Sequence, residues 1–144
     1  MSKRITFYSQ KQAYGEFSNF SPHAITVDGV RWPTVEHFFQ AQKFAGTPQY
    51  KKIRQARSPA IARKLGRSRK VRIRRDWEAI KLDVMRKGLR AKFTQHEALR
   101  RLLLDTRDAT LVEHVASDSF WGDGGTGRGK NWLGRLLMEL RASF

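Results

Sequence analysis

The fold is decided by one stretch near the N-terminus, Thr34-Val-Glu-His-Phe-Phe-Gln-Ala-Gln-Lys-Phe-Ala45. Its first residue is a good helix N-cap and Gly46 is a good stop, so the pattern predicts a helix between them. At about 100° per residue, Glu36, Gln40 and Lys43 fall on one stripe, and apolar residues fall on the opposite side. An acid, an amide and an amine on one stripe indicate either the wall of a pocket or an ordinary Glu–Lys helix pair.

The segments around this helix predict the rest of the architecture. Residues 5–8 are typical of a short strand, and residues 25–32 are typical of a hairpin, because Asp28-Gly29 favours a tight two-residue turn. Further helices are predicted to begin at the capping residues Ser58, Asp76 and Thr94, and a last helix to cover residues 131–141. Residues 110–115 fit either a strand or a helical turn. The predicted fold is mainly α (α+β), with a small N-terminal antiparallel β hairpin.

Length and composition exclude several classes of protein. With 144 residues, 40% of them hydrophobic, the chain predicts a single domain over residues 1–144. The absence of cysteine excludes disulfide scaffolds, thiolate zinc sites and cysteine nucleophiles. We expect no membrane span, because no run approaches the roughly 20 apolar residues required, and we expect a cytoplasmic protein, because the first residues lack an apolar leader segment. The four histidines show no metal-binding spacing, so neither a metal nor another cofactor is predicted.

Positive charge is concentrated in one part of the chain. The formal net charge is +16, and 17 basic residues against three acidic ones lie between Lys51 and Lys92. Residues 51–75 contain 12 basic residues and no acid. Such a run repels itself unless a polyanion or a phosphate ligand lies nearby, although it is also compatible with a solvated basic face. DNA or RNA is therefore a candidate partner for residues 51–92, and the sequence gives no indication of the oligomeric state.

A glycine-dense segment forms the second notable pattern, Asp118-Ser-Phe-Trp-Gly-Asp-Gly-Gly-Thr-Gly-Arg-Gly-Lys-Asn-Trp-Leu-Gly134. Glycines let backbone amides point at a ligand, and a loop that leads into a helix N-terminus favours anions, so the segment predicts a phosphate site. It is not a P-loop, because Asn131 replaces the Ser or Thr that holds magnesium and no buried strand leads into it. A glycine-rich structural turn held by Trp121 and Trp132 is the alternative interpretation.

Several separate blocks occur together in the order typical of one known family. They are Phe17-Ser-Asn-Phe-Ser-Pro22, Trp32-Pro-Thr-Val-Glu-His-Phe-Phe-Gln-Ala-Gln-Lys-Phe44, Arg75-Asp-Trp77, Val84-Met85, Lys92-Phe93, Leu103-Leu-Asp-Thr106, Asp118, Trp121-Gly122 and Gly129-x-Asn131-x-Leu-Gly134-x-Leu-Leu-Met138. Over nearly its whole length the chain resembles the NADAR (YbiA-like) family of N-glycosidases. The resemblance implies a compact, mainly helical fold and cleavage of an N-ribosyl bond. In some members the substrates are phosphoribosylamino-pyrimidine intermediates of riboflavin synthesis, and in others ADP-ribose attached to guanine in nucleic acid.

Both implied substrates join ribose C1 to an exocyclic amine, which suggests roles for two residues. Such a bond breaks through an oxocarbenium-like state that a carboxylate stabilises, or through ring opening to an imine that an amine captures. We expect Glu36 to handle protons and orient the ribose. We expect Lys43, its pKa lowered by burial, to attack as the neutral amine, and the alternative is that Lys43 only clamps a phosphate or a hydroxyl.

Further residues are candidates for the site. Asp123 is a candidate second acid or base, and Trp121 is a candidate stacking platform. The remaining substrate-binding candidates are Phe20, Gln40, Arg75, Trp77, Asp118, Gly122 and Asn131. A ribosyl-phosphate or ADP-ribosyl compound is the expected ligand. The competing hypothesis is a non-catalytic module that binds ADP-ribose and nucleic acid, which needs the pocket but not the chemistry of Glu36 and Lys43.

Overall fold

The computed structural model describes residues 3–9 and 11–144 of the chain. In chain order, its elements are β1 (Arg4–Phe7), a 3₁₀ turn (Gly15–Phe17), β2 (Ile25–Val27), β3 (Val30–Trp32), α1 (Val35–Gln42), α2 (Pro48–Arg54), α3 (Pro59–Gly66), α4 (Trp77–Gln95), α5 (Glu97–Asp105), β4 (Thr110–Glu113) and α6 (Trp132–Ser143). The predicted α+β fold with a small antiparallel hairpin is confirmed. Among the described residues, no helix is both long and apolar enough to cross a membrane.

The chain divides into two compact units. The central unit comprises residues 22–95, and the terminal unit comprises residues 1–21 together with residues 96–144. The central unit contains the β2–β3 hairpin and helices α1 to α4. The terminal unit contains β1, β4, α5 and α6.

In the central unit, helix α1 packs against α2, α3 and α4. Thr34 caps α1 as predicted, because its hydroxyl accepts a hydrogen bond from the His37 amide at 3.1 Å. Ser58 caps α3 in the same way, and the hairpin turns at Asp28 and Gly29, whose φ angles are 51° and 79°. Two positive φ angles in succession are what a tight hairpin turn requires, and Asp-Gly tolerates them. Local chemistry therefore explains where these elements begin.

In the terminal unit, β1 and β4 form a two-stranded parallel sheet, in which Arg4 pairs with Thr110 and Phe7 pairs with Glu113. The segment that fitted either a strand or a helical turn is thus a strand. Helix α6 packs on β4, and α5 packs on α6. Leu103, Leu111 and Leu137 are fully buried in this unit.

Some predicted helix boundaries were wrong. Thr94 does not begin a helix: it lies inside α4, where its hydroxyl donates to the Arg90 carbonyl oxygen, and His96 takes the N-cap position of α5. The helix start predicted at Asp76 is confirmed, because α4 begins at Trp77; the Asp76 carboxylate itself accepts two hydrogen bonds from the Arg74 guanidinium, at 2.6 and 3.0 Å. Helix α1 ends at Gln42 rather than at Gly46, and α2 was not predicted.

Candidate active site

The three residues predicted to share one polar stripe, Glu36, Gln40 and Lys43, belong to the central unit. The Glu36 side chain is buried, with 5% of the residue exposed, and its Oε2 accepts a hydrogen bond from Gln40 Nε2 at 2.8 Å. One turn of helix separates the two residues, so α1 itself brings them together. Arg63 of α3 places its Nε 3.6 Å from the same Glu36 oxygen. The carboxylate is thus held by an amide from its own helix and by a cation from the neighbouring helix.

Lys43 follows directly after α1 and is half-buried. Its Nζ donates a hydrogen bond to the carbonyl oxygen of Gly66, the last residue of α3, at 3.3 Å. The same nitrogen lies 5.9 Å from the ring centre of Phe39 and 6.0 Å from that of Trp77. The amine therefore sits beside two aromatic rings and a carbonyl group rather than in open solvent.

Burial lowers the pKa of Lys43 below its usual value, because the charged ammonium loses hydration. The negative charge of Glu36 opposes this effect, and the positive charges of Arg67 and Lys81 reinforce it. The lowered pKa increases the fraction of Lys43 that is present as the neutral amine at any pH below the usual pKa of lysine. A neutral amine is the nucleophilic form, so the environment favours attack on an electrophilic carbon.

Two more candidates of the central unit have different surroundings. Trp77 is buried, and its ring packs against Phe39 with the ring centres 5.1 Å apart, so it forms part of the wall around Lys43. Arg75 is exposed. His37, next to Glu36, is buried, with its Nε2 3.0 Å from the Ala56 carbonyl oxygen, and burial lowers its pKa. The Ala56 carbonyl can only accept, so Nε2 carries the proton and His37 serves the packing of α1.

The glycine-dense loop of the terminal unit is organised around Asp123, which is buried. Its Oδ2 lies 2.8 Å from Nδ1 of His114, and its Oδ1 accepts hydrogen bonds from the amides of Gly125 and Val115 at 2.8 and 3.2 Å. Burial alone would raise the pKa of Asp123, but these hydrogen bonds outweigh it and hold the pKa below its usual value. The ionised carboxylate is therefore an anchor of the loop, and its partner His114 has a side chain that is 56% exposed.

Asp118 and Asn131 also hold the loop together. Asp118 Oδ1 accepts hydrogen bonds from the amides of Phe120 and Trp121. The Asn131 side chain bridges to strand β4: its Nδ2 donates to the Leu111 carbonyl oxygen at 2.9 Å, and its Oδ1 accepts from the Glu113 amide at 3.0 Å. The polar atoms of Asn131 are thus committed to the backbone of β4.

Gly122 is buried where backbone segments approach one another closely. A Cβ at this position would lie 2.8 Å from the Glu113 carbonyl oxygen and 3.0 Å from that of Asp118. These atoms belong to the backbone and cannot move without distorting the loop, so the loop requires glycine here.

Phe20 and Trp121 are half-exposed, and the Trp121 ring meets the Phe120 ring edge to face, with the ring centres 4.9 Å apart.

The expectation of a phosphate site at the start of α6 is wrong for the amides that begin this helix. The amides of Asn131, Trp132 and Leu133 donate to the carbonyl oxygens of residues 122, 120 and 121 respectively, each at 3.0 Å. Amides that already have backbone partners do not offer a nest for an anion. The interpretation as a structural turn fits these contacts better.

Two residues of the site were missed by sequence reasoning. Arg63 is one of many cations in its part of the chain, and nothing local marks it as the neighbour of Glu36. Gly66 carries no sequence signal of a functional role, whereas its carbonyl oxygen contacts Lys43. Both contacts arise from the packing of α3 against α1.

Comparison with known proteins identifies the family. The NADAR domain family model matches residues 6–144 of the chain. The chain belongs to the NADAR family. Among NADAR relatives, the N-glycosidase YbiA of Escherichia coli (strain K12) is 56% identical over 137 residues, which cover 95% of this chain and 86% of YbiA. An N-glycosidase of Nostoc punctiforme is 45% identical over 140 residues, covering 95% of this chain and 90% of the relative.

The fold of the chain matches a solved structure, and the chain is also similar to part of a longer protein. The NMR structure of the Escherichia coli protein YbiA matches with a TM-score of 0.91 and 54% identity, covering 99% of this chain and 86% of that one. A chloroplastic riboflavin biosynthesis protein of Zea mays is 44% identical over 155 residues, covering 97% of this chain but 25% of the relative. The NADAR unit thus also occurs as a minor part of a longer protein.

Proposed function

We propose that this NADAR protein is an N-glycosidase that hydrolyses the bond between ribose C1 and an exocyclic amine. The observation that carries the proposal is that the buried Glu36 carboxylate of α1 and the amine of Lys43, directly after α1, influence each other electrostatically, while burial favours the neutral form of the amine. The N-glycosidase names of the relatives from Escherichia coli and Nostoc punctiforme support the same reaction class.

In the first route, water is the nucleophile. As the C1–N bond breaks, positive charge develops on C1 and the ring oxygen, and the negative charge of Glu36 stabilises it. Glu36 then accepts a proton from the water whose oxygen bonds to C1, and the leaving nitrogen gains a proton, so that a free amine and a ribosyl product result. Gln40 and Arg63 hold the Glu36 carboxylate in one orientation for this step.

In the second route, Lys43 is the nucleophile. The bond between C1 and the ring oxygen breaks first, the ring oxygen gains a proton, and the exocyclic nitrogen forms an imine with C1. The neutral Lys43 amine adds to C1 and the exocyclic amine leaves with a proton, which produces a Schiff base between Lys43 and the sugar. Water then hydrolyses the Schiff base and regenerates the amine. We favour this route because burial lowers the pKa of Lys43.

The surface of the central unit supports a polyanionic substrate. The cations exposed on it include Lys51, Lys52, Arg57, Lys64, Arg67, Arg69, Lys70, Arg72 and Arg75. Within the described part of the chain, none of these nine takes part in an ion pair with an acid. A small phosphoribosyl compound needs only a few cations, whereas nucleic acid engages many phosphates. We therefore propose ADP-ribose on guanine of DNA or RNA as the substrate.

A phosphoribosylamino-pyrimidine is the second candidate substrate. It is favoured by the names of relatives such as the riboflavin biosynthesis proteins of Zea mays and Vibrio vulnificus. The two substrates share the bond to be cleaved, so Glu36 and Lys43 would have the same roles with either. They differ in the contribution of the exposed cations, because only a polynucleotide reaches many of them.

The test is turnover of both compounds by the wild-type protein and by matched variants. We expect release of ADP-ribose from an ADP-ribosylated guanosine oligonucleotide, with a rate that falls about 10²- to 10⁴-fold in Glu36→Gln and in Lys43→Ala. The controls are Glu97→Gln and Lys11→Ala, which make the same chemical changes at exposed positions and should retain the wild-type rate.

Three outcomes would change the proposal. Turnover of the pyrimidine compound alone would make it the substrate. Retention of the oligonucleotide without turnover of either compound would identify a binding module. Full turnover by both Glu36→Gln and Lys43→Ala would show that the residues are wrongly assigned.

A further inference from the structure

Gly66, the last residue of α3, is a glycine for a reason other than backbone freedom. Its φ does not lie in the left-handed region, so any amino acid could adopt its backbone conformation. The residue is buried. Alanine would also be the better helix former at such a position. The packing around it, rather than its own conformation, must explain the missing side chain.

The space that a Cβ of residue 66 would need is occupied by Gln40. The Gln40 atoms Oε1, Cδ and Cβ lie there, and the Gln40 Cβ would be 2.8 Å from the added atom. The amide could rotate away only by giving up its hydrogen bond to Glu36. Because the Gln40 Cβ is attached directly to the backbone of α1, it could move away only if the two helices separated.

The Gln40 amide is oriented for Glu36. Its Nε2 faces the carboxylate, whereas its Oε1 has no hydrogen-bond partner among residues 3–9 and 11–144. The reverse orientation would place the amide oxygen against a carboxylate oxygen, which is repulsive when the carboxylate is ionised. The bare Cα of Gly66 thus leaves room for an amide that holds Glu36.

The carbonyl group of Gly66 holds the other functional side chain. It accepts the hydrogen bond from Lys43 Nζ at 3.3 Å. An amine donates such a bond both as the ammonium and as the neutral form, so the contact persists when the lone pair becomes available. The nitrogen is thereby kept in one position while it changes protonation state.

We infer that Gly66 is a positioning residue, which sets Glu36 through Gln40 and sets Lys43 through its own carbonyl oxygen. The inference rests on the proposed function for its catalytic consequence. Gly66 touches neither the sugar nor the leaving group in either route, and its effect passes through the two residues that do. The last residue of α3 therefore positions both functional groups, the Glu36 carboxylate and the Lys43 amine.

The test is Gly66→Ala with Gly88→Ala as its matched control. Gly88 is a buried helical glycine of the same unit, and a Cβ there would meet Phe38 at 3.1 Å and Val35 at 3.2 Å, away from the polar stripe. We expect Gly66→Ala to lower kcat roughly 10- to 100-fold with little change in KM, because small displacements of reacting groups cost that much. Gly88→Ala should retain the wild-type kcat of the folded protein.

An NMR titration of the Lys43 side chain provides a readout that needs no substrate. In Gly66→Ala, separation of α1 and α3 admits water to Lys43, so its titration midpoint should move up toward the usual value for lysine, while Gly88→Ala leaves it unchanged. A wild-type midpoint and a wild-type kcat in Gly66→Ala would overturn the inference. If the wild-type protein turns over neither substrate, the proposed function fails and the titration still decides the role of Gly66.

A double variant tests the path through Gln40. In a Gln40→Ala background the two nearest crowding atoms are absent, so adding Gly66→Ala should lower kcat by a smaller factor than it does in the wild-type background. Equal factors in the two backgrounds would refute the link. If Gly66→Ala alone does not fold, the titration midpoint of the double variant is compared with that of Gln40→Ala. The Cβ of residue 40, 2.8 Å from the added atom, is present in both proteins and still forces the helices apart, so an upward shift supports the link to Lys43 and an unchanged midpoint overturns it.

Discussion

Replacing Asn131 by alanine should destabilise the protein substantially. The side chain makes two hydrogen bonds to the backbone of β4, and each contributes about 0.5–1.5 kcal/mol. Asn131 also has a φ of 52°, where alanine pays roughly 1–2 kcal/mol and asparagine pays less. Together these effects predict a loss of roughly 2–5 kcal/mol in the free energy of unfolding.

Urea unfolding of Asn131→Ala and Asn131→Gly separates the two contributions. Glycine removes the same hydrogen bonds but tolerates the positive φ, so it should be about 1 kcal/mol less destabilising than alanine. With an m value of about 1–3 kcal/mol/M, the alanine variant should unfold at a urea concentration lower by on the order of 1–2 M. The loss of activity should follow the loss of folded protein.

Three results would change this reasoning. A loss below about 1 kcal/mol in Asn131→Ala would show that the contacts to β4 contribute little. A stable variant with a raised KM would instead support the substrate-binding role that the sequence suggests for Asn131. Equal destabilisation by alanine and glycine would refute the argument from the backbone conformation.

Two further predictions concern the dependence of stability on pH. Burial lowers the pKa of Lys43 in the folded state, so the charged amine destabilises the folded protein at low pH. This destabilisation disappears as the pH rises from the lowered pKa of the folded state to the usual lysine pKa of the unfolded state. Lys43→Met should therefore be more stable than wild type at pH 7 in urea unfolding, by a margin that shrinks toward pH 10; a constant margin would contradict the argument. The pKa of Asp123 is lowered in the folded state, so the ionised carboxylate stabilises the fold. This stabilisation is fully present above the usual carboxyl pKa and is lost as the pH falls through the pKa of the folded state. Between pH 6 and pH 3 the wild type should lose more stability than Asp123→Asn, and equal losses would contradict this.

Local signals in the sequence predicted the elements that depend on local chemistry. Thr34 and Ser58 cap their helices because a hydroxyl needs only the amide three residues later, and the Asp28-Gly29 turn needs only two suitable backbone conformations. Thr94 shows the limit of this reasoning. The residue pattern of a capping box is present at this position, yet α4 continues through Thr94. The packing of the longer helix therefore overrides the local signal.

Contacts distant in sequence could not be predicted in this way. Strands β1 and β4 are four residues each, and their parallel pairing joins segments from opposite ends of the chain. Neither strand carries a signal that identifies the other. The same limit applies to the contact between Asp123 and His114, which depends on how the glycine-dense loop folds back.

The candidate site was predictable along one helix but not between helices. The stripe of Glu36, Gln40 and Lys43 follows from the helical repeat, and the structure brings Gln40 onto Glu36 as this repeat requires. The contributions of Arg63 and Gly66 depend on the approach of α3 to α1, which no spacing in the sequence specifies. Helical periodicity therefore identified the candidate reactive groups, and only the structure identified the residues that position them.

The most direct test of the account is to trap the sugar on Lys43. Wild-type protein would be incubated with the ADP-ribosylated guanosine oligonucleotide in the presence of borohydride, digested and examined by mass spectrometry. Reduction of a Schiff base leaves a stable secondary amine. We therefore expect a peptide in which Lys43 carries the mass of the reduced sugar, and we expect it to be absent in Lys43→Ala. Turnover without any adduct at Lys43 would contradict attack by the amine and leave water activated by Glu36 as the mechanism.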